Sequence, residues 1–237
     1  MKKVASEWTT IQEELRKQAS PERAQQALRY FKTGPGEYGE GDEFLGIRVP
    51  ALRAIAKKYR SIEFDTVKKL LPSRWHEERL LALLLLVDRY AKCEPSERDA
   101  IHRYYLEQTR YVNNWDLVDS SAPTLVGKHI ANGSRKILRV LVKSSSLWER
   151  RIAIIATQYF IRKGDFKDAL ELSKSLLRDQ EDLIHKAVGW MLREIGDREP
   201  SLEYQFLDQH AGEMPRTMLR YAIEKFPAEQ RQHYLAK

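Results

Sequence analysis

Trp115 and Asp119 stand four residues apart in the run Asn113-Asn114-Trp115-Asp116-Leu117-Val118-Asp119. On a helix that spacing puts an indole and a carboxyl on one face. An electron-rich ring attracts positive charge, and a preorganised carboxylate stabilises positive charge as it develops in a transition state. Taken alone, the pair reads first as structural, with Trp115 a core aromatic and Asp119 a solvated or capping carboxylate. Two later positions add weight. Arg151 is a cation near a helix start, where the dipole favours an anion; that implies either a use beyond helix stability or a surface ion pair. Trp190 follows Gly189, which costs helix stability and permits close approach of a ligand or of the next helix. Trp148 shares a face with Leu147, Ile152 and Ile155 and reads as core.

Other patterns carry no chemistry. Gly34-Pro35-Gly36-Glu37-Tyr38-Gly39 satisfies G-x-G-x-x-G, but a helix precedes it and acidic residues follow, whereas a pyrophosphate needs a strand before and a helix N-terminus after. His76-Glu77-Glu78 starts like a zincin helix, yet Leu80 occupies the second ligand position. Cys93 and His102 lack any feature of a nucleophile pair, and Cys93 reads as a buried structural cysteine. Asn132-Gly133-Ser134 fits a glycosylation sequon that a cytoplasmic chain never uses.

Helices must position the candidate residues. Asn113 or Asn114 can cap the segment carrying Trp115. Ser20-Pro21-Glu22 opens a helix with a cap, a first-turn proline and an acid suited to the dipole. Val49-Pro50 opens another, with Leu52, Ile55, Ala56 and Tyr59 inward, and Leu80, Leu83, Leu84 and Val87 form the stripe of a buried helix. Further helices are expected at 96–108, 113–130, 134–143, 146–162, 165–178, 181–195, 201–209 and 215–226. No segment alternates with period two, so the fold class is all-α. His76–Leu80 aligns with Trp148–Ile152 at an offset of 72, twice 36, with Trp115 halfway. Helix pairs that cannot bury their apolar faces alone stack into a HEAT-like solenoid. The expectation is one solenoid domain over 1–237 with a concave basic face, on which Arg79, Trp115 and Arg151 line up. The least regular stretch, 33–43, is a loop carrying Glu37, Glu40, Asp42 and Glu43.

The chain has 237 residues, 42% hydrophobic and 32% charged, which excludes disorder. Its longest apolar run, Leu80–Val87, is too short for a bilayer. The single cysteine allows no intrachain disulfide. Residues 1–7 lack an apolar core, so no signal peptide is read and a cytoplasmic location is expected. The 41 Lys plus Arg against 34 Asp plus Glu, a net charge of +7, point to an acidic partner, with nucleic acid the commonest, or serve solubility alone.

Phe44-Leu45-Gly46-Ile47-Arg48-Val49-Pro50, Asn114–Asp119, Leu147-Trp148-Glu149-Arg150-Arg151 and Lys186–Glu194 together resemble the AlkD-like DNA alkylation repair proteins, over nearly the whole chain. The resemblance implies a HEAT-like solenoid that grips duplex DNA and cleaves the N-glycosidic bond of N3- or N7-alkylated purines. It implies Asp119 as the catalytic carboxylate, Trp115 and Trp190 as the aromatics that embrace the lesion's deoxyribose, and Tyr30, Arg48, Arg53 and Arg151 as DNA contacts. No cofactor and no metal are implied, the partner is double-stranded DNA with no membrane involved, and a monomer is expected. Loop 33–43 is longer than in the best-known member. That length keeps a second function open, a non-catalytic relative that binds branched or distorted DNA. A protein-binding HEAT scaffold is a third.

Overall fold

The structure, a computed structural model, describes residues 7–237; the signal-peptide reading falls largely on residues outside these. It is all-α, and the described residues contain no strand, only one isolated bridge between Glu43 and Trp75. Contacts group the described residues into two compact units, divided after Ser121.

The first unit holds α1 (Glu7–Gln18), α2 (Pro21–Tyr30), α3 (Val49–Lys58), α4 (Phe64–Leu70), α5 (His76–Lys92), α6 (Pro95–Glu107) and α7 (Trp115–Ala122), whose last residue starts the second. Ser20 Oγ accepts the Arg23 N–H at 3.4 Å, the cap expected for α2. Helix α5 packs on α3 and α4, and α1 on α4. It is buried nearly all round: Leu80, Leu81, Leu83, Leu85 and Leu86 are in the core, while Leu84 and Val87 of the expected stripe are half-buried. Loop 33–43 folds on its own acids. Glu37 Oε2 accepts the Gly34 N–H at 2.8 Å, Glu40 Oε2 accepts that of Gly36 at 2.9 Å, and Asp42 is buried.

The second unit holds α8 (Lys136–Leu141), α9 (Leu147–Ala156), α10 (Gln158–Ile161), α11 (Lys167–Ser175), α12 (Asp182–Gly196), α13 (Pro200–His210), α14 (Arg216–Ala222) and α15 (Ala228–Leu235), with a π-helical turn at Pro123–Lys128. Helix α12 packs against α9, α13 and α14. A side chain at Gly189 would collide with the Met218 carbonyl and Tyr221 Cβ, so the close approach this glycine permits is that of α14.

The repeat is real, but its register differs by one residue from the expected offset. Arg79 Nη1 donates to the carbonyls of Ser73 and Arg74 at 3.0 and 3.1 Å; Arg150 Nη1 donates to those of Ser144 and Ser145, both at 3.0 Å. Ser73 Oγ accepts the Trp75 N–H, and Ser144 Oγ accepts that of Ser146. Each arginine then pairs with an aspartate, Arg79 with Asp42 and Arg150 with Asp179. Arg79 therefore matches Arg150, not Arg151. Both tie a helix start to the turn before it, where carbonyls would otherwise lack partners.

Glu203 on α13 is 3% exposed, packs against Gly196, and its Oε1 has no hydrogen-bond partner. Burial, with the charge of Asp197 added, pushes its carboxyl up to about 8. A carboxyl whose folded pKa lies above its unfolded value of 4.5 stabilises the fold fully below that value, and the contribution is lost as pH rises toward about 8. Glu203→Gln should therefore stabilise the protein at pH 9, on the order of 3 kcal/mol, and change it little at pH 5. Thermal unfolding at the two pH values measures the difference.

Candidate active site

Helix α7 begins at Asn114, fully buried, whose Oδ1 accepts the Trp115 N–H at 2.9 Å. Leu117 and Val118 turn into the core and leave Trp115 and Asp119 half-buried, one turn apart. The i, i+4 pair read from the sequence is thus a surface pair with neither member sealed in the core. Behind it, Tyr105 shares a hydrogen bond of 3.0 Å with Ser121. Burial raises the Tyr105 hydroxyl, the Ser121 bond opposes that, and the charge of Asp119 adds to it.

Trp115 stands in an aromatic stack. Phe31 lies against it at 5.6 Å with planes 22° apart, and Tyr30 meets it edge-on at 5.9 Å. Such pairs contribute about 0.5–1.5 kcal/mol beyond their buried area. Tyr30 is 66% exposed, unusual for so large a ring. On the far side of Phe31 lie His76, at 4.8 Å, and Phe44, at 5.0 Å.

His76 is the member that the sequence reading set aside. It is the first residue of α5 and 2% exposed. Its Nε2–H donates to Asp116 Oδ2 at 2.8 Å, and Nδ1 lies 3.5 Å from Asp42 Oδ2. Burial opposes its protonation, but the charge and hydrogen bond of Asp116, with Asp42, raise it to about 9. Asp42 is the hub: Oδ1 accepts from Arg79 at 2.6 Å and Asn113 at 3.2 Å, and Oδ2 accepts from Asn114 at 3.2 Å. Burial alone would raise the Asp42 carboxyl; the His76 ring, the Arg79 charge and Asn114 hold it below its usual value.

Arg79 is 4% exposed inside this network, so it is not the surface cation that the repeat alignment implied. Arg48, just before α3, and Arg53 on α3 are both exposed. In the second unit, Arg151 is 4% exposed and donates to the Leu183 carbonyl. Trp190 is half-buried and its Nε1–H donates to Glu194 at 3.2 Å. Trp148 is half-buried rather than core. Cys93 is likewise half-buried; burial first, then Glu97, raises its thiol, which favours the unreactive protonated form. Among the described residues, no group of His, Cys, Asp and Glu could hold a metal ion.

Fold and site together define an all-α helical-repeat protein that presents an indole and a carboxylate side by side. The sequence model of the family described as DNA alkylation repair enzyme matches residues 11–226, and the chain belongs to that family. A solved structure described as a predicted DNA alkylation repair enzyme from Enterococcus faecalis has the same fold. It superposes with a TM-score of 0.70 at 18% identity, over 89% of this chain and 98% of that one. No curated protein sequence matches the chain.

Proposed function

We propose that the protein is a DNA glycosylase that releases N3- and N7-alkylated purines from duplex DNA. The observation that carries this reading is the half-buried Trp115–Asp119 pair on one turn of α7, with Tyr30 exposed beside it. Alkylation at N3 or N7 makes the purine cationic, so it leaves as a neutral base that takes the electrons of the C1′–N bond, with no general acid. Positive charge moves to the sugar as an oxocarbenium ion, which the Asp119 carboxylate stabilises. Water then adds to C1′ and gives up a proton, which in this reading Asp119 orients or accepts. The Trp115 and Trp190 faces favour the cationic nucleoside over the neutral one. Tyr30, Arg48 and Arg53, all exposed, hold the DNA backbone in this reading, whereas Arg151, buried and bonded to the Leu183 carbonyl, braces the fold instead of reaching phosphate; no metal or cofactor takes part, and the protein acts as a monomer.

The test is release of 7-methylguanine or 3-methyladenine from alkylated duplex DNA. Release above the spontaneous rate supports the reading. Release of neither overturns it, and a preference for four-way junctions in that case selects the non-catalytic DNA-binding alternative. Arg48→Ala with Arg53→Ala should weaken duplex binding and flatten the plot of log affinity against log salt by about two, one unit per lost phosphate contact. A titration at several salt concentrations measures it.

A further inference from the structure

We propose that His76 is a positioning residue for the reaction, a buried imidazolium that sets the orientation of Trp115 and Asp119. The inference rests on the glycosylase reading above and extends it to a group that touches no substrate.

Three routes lead from the His76 ring to Trp115. The first is direct: Nε2–H holds Asp116 Oδ2, while Asp116 Oδ1 accepts the Leu117 N–H at 2.9 Å, so the bond fixes the first turn of α7. The second runs from Nδ1 to Asp42, on to the Asn114 amide, and from Asn114 Oδ1 to the Trp115 N–H. The third is the ring stack, in which Phe31 lies against both His76 and Trp115. Phe44 also packs on the imidazole, at 4.7 Å, and on Phe31, at 5.0 Å, so the three rings form one cluster. A cationic ring in contact with neighbouring aromatic rings gains from their quadrupoles as well as from the carboxylates. Asp119 follows one turn after Trp115, so whatever turns the start of α7 turns both.

Only the doubly protonated ring donates at both nitrogens. Loss of the Nδ1 proton turns a lone pair toward Asp42, which Nδ1 faces at 3.5 Å without a formed hydrogen bond, and the ion pair that ties the loop to the start of α7 is lost. The charged groups around the ring define the titration. Asp42 comes from the loop, Asp116 from α7 and Arg79 from α5 itself. Glu77, also on α5, is spent on the backbone N–H groups of Leu45, Gly46 and Ile47. Arg23 and Arg48 line, with His76 and Asp116, a cavity of about 110 Å³. Two carboxylates at ion-pair distance outweigh burial, in keeping with a group that titrates near 9.

The experiment is single-turnover 7-methylguanine release at saturating enzyme, from pH 6 to 9.5, for the wild type, His76→Gln and Asp116→Asn. Nitrogen-15 spectra of the His76 ring in the free proteins accompany it. The wild type should hold its rate to about pH 8 and fall above it, with the ring doubly protonated at pH 7. Asp116→Asn should move both the rate and the ring titration to lower pH by at least one unit. His76→Gln should be at least ten-fold slower at pH 7 and flat with pH, with duplex affinity lowered by a smaller factor than the rate. A neutral His76 ring at pH 7 overturns the inference whatever the activity. Equal rates for wild type and His76→Gln, or an Asp116→Asn profile that does not move, also overturn it and leave the glycosylase reading standing. A wild type that releases no base removes both. If His76→Gln does not fold, the Asp116→Asn profile and the ring spectra decide.

Discussion

Replacing Asp119 with asparagine should lower base release at least a hundred-fold while duplex binding stays the same or tightens slightly. The size follows from the role. The carboxylate acts only as the sugar becomes positive, so its loss raises the barrier without weakening the ground-state complex. Removing one preorganised electrostatic partner costs about 10²–10³ in rate, about 2.7–4 kcal/mol of barrier. Asparagine keeps the shape and a carbonyl oxygen, so packing around Leu117 and Val118 survives. Asp119 is half-buried, so thermal unfolding of the variant separates any change in stability from the change in rate. Binding gains if anything, because a negative charge is removed from a surface that meets phosphates. A companion Trp115→Ala should weaken both binding and rate, since the ring contacts the nucleoside before and during cleavage. Rates that are equal for wild type and Asp119→Asn would remove the carboxylate from the chemistry.

The local grammar of the chain was legible, and the long-range ties were not. Ser20-Pro21 and Val49-Pro50 announce helix starts because capping and a fixed proline φ act within a few residues. The Trp115–Asp119 pair needed only the helical period. Segment 113–130 read as one helix, but Pro123 has no N–H to give to the preceding turn, and the chain passes into a π-helical turn there. In 146–162, Thr157 Oγ1 bonds back to the Ile154 carbonyl and the helix is broken. Helices α4 and α15 were not read at all; both are short, seven and eight residues. The repeat register slipped because Arg150 and Arg151 are adjacent, and only the carbonyls they reach tell them apart. In the sequence His76 fits only a zinc motif that fails at Leu80. Its partners come from residues 42 and 116, and no pattern within one helix reveals a histidine held between carboxylates that distant. The one available sign was an acidic residue, Asp42, just before the apolar run Phe44–Ile47.

Truncating Glu77 should unfold much of the first unit. This side chain is 4% exposed and serves three backbone donors. Its Oε2 accepts the Leu45 N–H at 2.8 Å, and its Oε1 accepts those of Gly46 and Ile47 at 2.7 and 3.1 Å. The segment cannot satisfy these groups alone, since Gly46 holds φ at +75 and the chain there is neither helix nor sheet. Nor can it move away. The Leu45 carbonyl accepts from Ser20 N–H at 2.8 Å, the Gly46 carbonyl accepts from Arg23 Nε–H at 2.7 Å, and a Cβ at Gly46 would strike the Ser20 carbonyl. Each buried donor left without a partner costs about 1–3 kcal/mol. Glu77→Ala, which orphans three, should therefore cost more than about 4 kcal/mol, a large part of a domain's stability. Glu77→Gln keeps an oxygen for Gly46 and Ile47 but turns an amide N–H toward Leu45, and should cost about 2–3 kcal/mol. Hydrogen exchange at the amides of residues 45–47 localises the effect. Protection there should fall most in the alanine variant, less in glutamine, and remain at wild-type level in α12. Because Phe44 precedes this segment and faces His76, loosening it releases one side of the stack that ends on Trp115. The glutamine variant should accordingly lose base release before it loses its fold. Unchanged protection at 45–47 in Glu77→Ala would mean that these amides find other acceptors and that the carboxylate is not what holds the loop.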